Sequence, residues 1–173
     1  ARVPVFFSYR DTRFAAKHQA LPKGGFTKMV KEMLAHPNIN VELNTDALEH
    51  LSLDAASGKA FYDGQALSIP VVYTGAIDAL WHRCYGVLPY RSLHITYEKQ
   101  AVKSYLEYAA IAYPQAEGFV RKTEYTKLPW QDAGEKTIIA TEYPLAYDIQ
   151  DKGSIGPAYP ILTAENKALY HRY

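Results

Sequence analysis

GVLPYRSLHITYE, Gly86 to Glu98, decides how this chain folds. From Arg91 to Glu98 the apolar positions Leu93, Ile95 and Tyr97 fall on one side of an alternating strand. The strand begins with an arginine between tyrosine and serine, an arrangement that holds one fixed cation at the mouth of a sheet. A planar, five-donor guanidinium suits a phosphate, which makes Arg91 the first candidate for substrate contact.

Downstream the same period returns in Tyr105 to Tyr113, Phe119 to Lys127 and Lys136 to Tyr143. Four strands at this spacing, without long helices between them, predict an antiparallel sheet and an α+β fold: an antiparallel β-sheet with a few flanking helices. A Pro/Gly-containing loop is expected from Tyr147 to Pro160, and Thr163 is positioned to cap a last helix over Ala164 to Tyr173. Upstream, Gly75 leads into a short helical stretch from about Ile77 to Tyr85. Strands are predicted at Ile39 to Leu43, near Lys59 to Tyr62 and at Ser68 to Tyr73, with turns at Gly58 and Asp63-Gly64. Phe26, Met29, Val30, Met33 and Leu34 trace one helical face, with Thr27 as its N-cap and Lys28, Lys31 and Glu32 on the wet side. Residues 1–25 show no sustained period and read as an extended or mobile loop ahead of a single 1–173 domain.

Bulk properties narrow the function. Hydrophobic residues make up 48% and charged residues 21% of the 173, so the chain should bury a core. A formal net charge of +1 gives no broad cationic field, which excludes a nucleic-acid binder that neutralises many phosphates. A single cysteine, Cys84, cannot form an internal disulfide, and no Cys/His spacing suggests zinc, so a reducing, cytoplasmic location and inert burial of Cys84 are expected. No apolar run approaches a membrane span. Fifteen tyrosines stand out, and most are read as sheet-formers. Asp78 and Glu124 are isolated carboxylates, which gives a glycosidase pair little support. Trp81 and Trp130 read as core or packing lids.

Six segments together resemble the UDP-galactopyranose mutase family: QALPKGGFTKM with LAHPNINVELNTD, then VVYTGAIDALW, GVLPYRSL, EYTKL, TEYP, and PAYPILTAENKALYHRY. They stand in the family's order and cover nearly the whole chain. The resemblance implies an isomerase that interconverts UDP-galactopyranose and UDP-galactofuranose with reduced FAD, for galactofuranose of cell-wall polysaccharides. No GxGxxG turn occurs among the ten glycines, so tight flavin binding by this chain alone is not expected. The chain resembles the substrate-binding middle of such a flavoprotein, inactive by itself; the full-length protein could be a homodimer, with neither nucleic acid nor membrane as partner.

By the same resemblance Arg91 grips the diphosphate and steadies the leaving UDP, and is the one catalytic residue carried over. Tyr125 and Tyr159 match tyrosines whose hydroxyls reach the diphosphate, while Tyr73, Thr74 and Gly75 match the stretch that passes the flavin. Departures fall in the N-terminal segment, where Phe6 replaces a loop arginine. Arg2, Arg10 and Arg13 are near enough in sequence to compensate. His18 stands where a Tyr-Gln pair is common and can donate one hydrogen bond to a phosphate. Two rivals remain: a non-catalytic nucleotide-sugar-binding homologue and an amine-oxidase-like flavoprotein. No metal site is expected.

Overall fold

A computed structural model of the chain describes Tyr9, residues 16–131 and residues 134–173. Arg2, Phe6, Arg10 and Arg13, and most of the expected N-terminal loop, lie outside the described residues. The chain divides into two compact units, Ala1–Asn40 and Val41–Tyr173.

In the first unit the amphipathic period becomes α1 (Gly25–Met33). Its N-cap is Gly24, not Thr27: Gly24 takes φ 93°, where only glycine is at ease, and the chain enters the helix one turn earlier than a threonine cap would allow. Lys28 and Glu32 pair at 3.7 Å on the wet face as the spacing requires. Phe26, Val30 and Met33 stay exposed on the other. Across Ile39 to Leu43 no strand forms; alternation makes a strand only where a neighbour completes the ladder, and none does so there.

The second unit opens with α2 (Ala47–His50), capped by the Asp46 carboxylate accepting from the Leu48 N–H at 2.9 Å. It runs straight into a small antiparallel sheet, β1 (Leu51–Leu53), β2 (Ala60–Tyr62) and β3 (Gln65–Ala66), in that order. Asp63 and Gly64, at φ 47° and 75°, form the two-residue turn of the β2–β3 hairpin. Ser68 to Tyr73 does not continue as a strand, because Pro70 lacks the N–H that a ladder position needs. The predicted helical stretch after Gly75 is one turn, α3 (Ile77–Leu80), followed by tight turns to Tyr85.

The main sheet comprises β4 (Tyr90–Gln100), β5 (Ala110–Ala112), β6 (Arg121–Glu124), β7 (Thr137–Ala146) and β8 (Tyr159–Pro160). Its order is β5-β6-β7-β4-β8, antiparallel throughout. This is the α+β architecture the alternation predicts. The strand expected from Tyr105 shrinks to Ala110–Ala112, and Phe119 to Lys127 yields β6 and then a 3-10 turn, Tyr125–Lys127. Inside the expected loop lies β8, followed by α4 (Ala164–Tyr170), whose Thr163 cap accepts from the Asn166 N–H at 3.1 Å.

An unbroken register from Arg91↔Ala146 to Gln100↔Thr137 fixes which side chains share a face. Ser92, Thr137, Ile139, Thr141 and Glu124 fall on the buried side, each with at most 3% of its surface exposed. Arg91, Leu93, Ile95 and Tyr97 occupy the opposite face. Cys84 is exposed, contrary to the expected burial, because the turn after α3 carries it past the core. Trp130 also lies on the surface, 66% exposed, where φ 68° at the end of a turn aims it outward rather than into a core.

Candidate functional site

Pro89, just ahead of β4, accepts the Ile161 N–H at 2.9 Å; Arg91 accepts the Ala158 N–H and Leu93 the Ile155 N–H, both at 2.9 Å. Those bonds zip the 155–161 segment along the open edge of β4, and the Ser92 hydroxyl adds a bond to the Gly156 carbonyl at 2.6 Å. The segment after two short turns therefore ends with Tyr159 directly opposite Arg91. Partners that face each other in an antiparallel pair share a side of the sheet, so the two residues stand together at one end of it.

Between this edge, the Thr74–Ile77 backbone and α4 lies a cavity of about 550 Å³, a size suited to a small ligand. Its apolar walls include Ile77, Leu88, Pro89, Ile161 and Leu162; Tyr90, Tyr159 and Tyr170 also line it. One wall is backed by Asp78, which is only 3% exposed. Its carboxylate accepts from the Leu88 N–H and from the Tyr90 hydroxyl, each at 3.2 Å. Burial, and then the Asp78 charge, push the Tyr90 phenol up to about 12. Tyr90 thus stays a neutral donor, with Asp78 as its acceptor.

Thr74 and Gly75 line the cavity, and Tyr73 folds over Gly75. A Cβ at Gly75 would collide with the Tyr73 hydroxyl and the ring carbon that bears it. Burial, followed by the charges of Asp46 and Asp78, raises the Tyr73 phenol above its usual range. Gly75→Ala is therefore expected to lower stability by about 1–2 kcal/mol by displacing that ring. In a Tyr73→Ala background the same change should cost less than half as much, and thermal unfolding of the four proteins of the cycle measures the difference.

Arg91 is exposed and is not itself among the lining residues of the cavity; its neighbours Tyr90 and Tyr159 are. Ion pairs among the described residues join Lys28 to Glu32, His50 to Asp63 and Arg121 to Glu142, so the Arg91 guanidinium has no carboxylate partner there. Tyr125 lies away from the cavity, its ring 6.3 Å from and nearly parallel to that of Tyr97. Burial and Tyr97 raise its phenol above the usual range. Since Tyr97 shares the Arg91 face six residues along β4, about 20 Å at the usual strand rise, one ligand touching both ends must be elongated. His18 lies exposed on coil in the first unit. Among the described residues no cluster of three His, Cys, Asp or Glu gathers for a metal, and no helix is long and apolar enough to cross a membrane.

A family model described as UDP-galactopyranose mutase matches residues 1–173. The chain belongs to the UDP-galactopyranose mutase family. It is 34% identical over 174 residues to UDP-galactopyranose mutase of Mycoplasma pneumoniae, covering 99% of this chain and 43% of that protein. Against the Mycoplasma genitalium enzyme of the same name the identity is 36%, over 99% of this chain and 42% of the relative. An Escherichia coli dTDP-fucopyranose mutase is 26% identical over 99% of this chain and 43% of its own length. The chain thus spans less than half the length of these curated relatives. The family segments YTGAID, PYRSL and PAYPI, apart in sequence, meet around the cavity and the adjoining sheet edge, whereas EYTKL does not. Sequence reasoning passed over Tyr90, Lys167 and Tyr170; the clue was adjacency, since Tyr90 precedes Arg91 and the other two fall on one face of α4.

Proposed function

We propose that this chain is the nucleotide-sugar-binding part of a UDP-galactopyranose mutase, acting on the UDP-galactopyranose/UDP-galactofuranose pair. The observation that carries the reading is the exposed guanidinium of Arg91, without a carboxylate partner among the described residues and directly opposite Tyr159 at the cavity's edge. The names of the relatives vary in base and sugar, UDP-galactopyranose in two and dTDP-fucopyranose in the third, and share a nucleoside diphosphate on a pyranose. The diphosphate is the constant part, and a fixed guanidinium that can bind two oxygens at once is the group suited to recognise it.

Arg91 holds the diphosphate and stabilises the negative charge that grows on the leaving UDP, which is where electrostatic assistance lowers a barrier most. Tyr159, on the same face, donates its hydroxyl to the same oxygens. Tyr125, at the far end of that face, serves the elongated remainder of the ligand.

The cavity also fits the ring system of a flavin. Thr74 to Ala76 line it together with apolar residues and three tyrosines, whereas 550 Å³ leaves no room for a whole dinucleotide. Thr74 and Gly75 would hold the ring with Tyr73 behind them. When bound, reduced FAD supplies the covalent chemistry of ring exchange. The chain's own residues orient the sugar, exclude water at the apolar walls and keep the Tyr90 proton in place.

In a cytoplasmic setting the rest of the polypeptide completes the flavin site. Incubated with UDP-galactofuranose, FAD and dithionite, this chain alone should give no UDP-galactopyranose by chromatography yet bind UDP by calorimetry. Turnover by the chain alone, or affinity for uridine equal to that for UDP, contradicts the reading.

A further inference from the structure

Lys167 is the one formally charged side chain among the residues lining the cavity beside Tyr159. It is exposed on α4, and the ion pairs among the described residues include neither it nor Arg91. The carboxylate behind the wall, Asp78, has both oxygens engaged by Leu88 and Tyr90. An anion entering the cavity therefore meets a cation that is in no ion pair among the described residues.

The helix that carries Lys167 is pinned at both ends to the segment that leads into β4, the strand that carries Arg91. At its start the Asn166 side-chain amide donates to the Ile161 carbonyl at 2.8 Å, and the Ile161 N–H donates to the Pro89 carbonyl. Past its end the Tyr173 hydroxyl donates to the Gly86 carbonyl and accepts from the Tyr85 N–H at 3.3 Å. Arg172 covers the Tyr85 ring at 4.7 Å from its centre. Fixing the backbones that carry the two cations lowers part of the ordering cost of binding a doubly charged group.

We propose that Lys167 is a second phosphate contact, so that a nucleoside diphosphate lies beside Tyr159 with its charge shared between Arg91 on β4 and Lys167 on α4. This rests on the nucleotide-sugar reading above and adds to it a residue that positions the diphosphate from the cavity side. The two cations differ in kind: the guanidinium fork fixes one phosphate, while the compact ammonium on its flexible stem follows the oxygens of the other.

Calorimetric titration of the full chain with UDP, and in parallel with uridine, tests it. Lys167→Ala and Lys167→Met should each weaken UDP about 5–10-fold, leave uridine unchanged and flatten the dependence of UDP affinity on salt. Lys167→Arg should stay within about twofold of wild type. The methionine variant keeps the aliphatic stem, so a loss common to both variants belongs to the charge rather than to packing. Wild-type UDP affinity in Lys167→Met, with affinity lost in Arg91→Ala, overturns the proposal and leaves the nucleotide-sugar reading standing. No preference for UDP over uridine in the wild-type chain overturns both.

Discussion

Arg91→Ala weakens the binding of UDP by about 100-fold while leaving uridine where it was: this is the largest functional effect expected of any single substitution here. The magnitude follows from the chemistry. A charge-assisted, two-pronged bond from guanidinium to phosphate is about twice as strong as a neutral one, and truncating a charged partner of this kind costs about 2–5 kcal/mol. Arg91 loses no protein ion pair when it engages a ligand, since none of its described neighbours neutralises it. Arg91→Lys retains the charge but not the fork, and should recover about tenfold of the loss. Calorimetry with both nucleotides measures all three proteins, and unchanged UDP affinity in Arg91→Ala removes the chemical basis of the proposed function.

Glu124→Ala is expected to cost about 3 kcal/mol of stability, the largest effect away from the ligand site. Glu124 has no exposed surface, and its carboxylate accepts the Leu106 N–H at 2.7 Å and the Tyr105 N–H at 3.0 Å. It thereby staples the segment before β5 onto β6 and anchors the turn on which Tyr125 sits. Truncation leaves two backbone donors without partners in a dry interior. Burial pushes the carboxyl up, but the Leu106 and Tyr105 N–H groups and the Thr137 hydroxyl outweigh it, and the folded group titrates below its ordinary value. A depressed carboxylate contributes stability above its unfolded titration range and loses that contribution as pH falls through the folded one. Wild type should therefore lose stability below about pH 4.5, the ordinary value, with Glu124→Gln less stable at neutral pH and flatter through that window. Urea unfolding across pH 3–7 distinguishes the two curves.

The main sheet was legible because period-two alternation over Arg91 to Glu98 and Lys136 to Tyr143 coincides with strands that do find partners. The same alternation at Ile39 to Leu43 misled, for pairing is a property of the neighbour and not of the segment. Ser68 to Tyr73 carried its own warning in Pro70. On α1, the threonine rule for caps yielded to Gly24, whose left-handed backbone admits the chain sooner. Short β8 was hidden inside a proline- and glycine-containing loop, since two residues leave no period to read.

Arg91 stood out at the start of an alternating strand, whereas Tyr159, Thr74 and Gly75 entered as candidates only through the family segments, since nothing in isolated residues joins positions 75, 91 and 159 until β4 and β8 pair. Lys167 escaped because its meaning comes entirely from the cavity that α4 encloses. Asp78 reads in the sequence as an isolated carboxylate, because the contacts by which it holds the entry to β4 lie ten and twelve residues away.

The most direct measurement of the central claim is an amide chemical-shift titration of the isotope-labelled chain with UDP. Saturable shifts should concentrate at residues 74–76, 90–92, 157–162 and 166–170, with uridine moving few of them. Shifts confined to the small β1–β3 sheet, or identical patterns for UDP and uridine, would show that the β4–β8 edge is not where this chain captures a diphosphate.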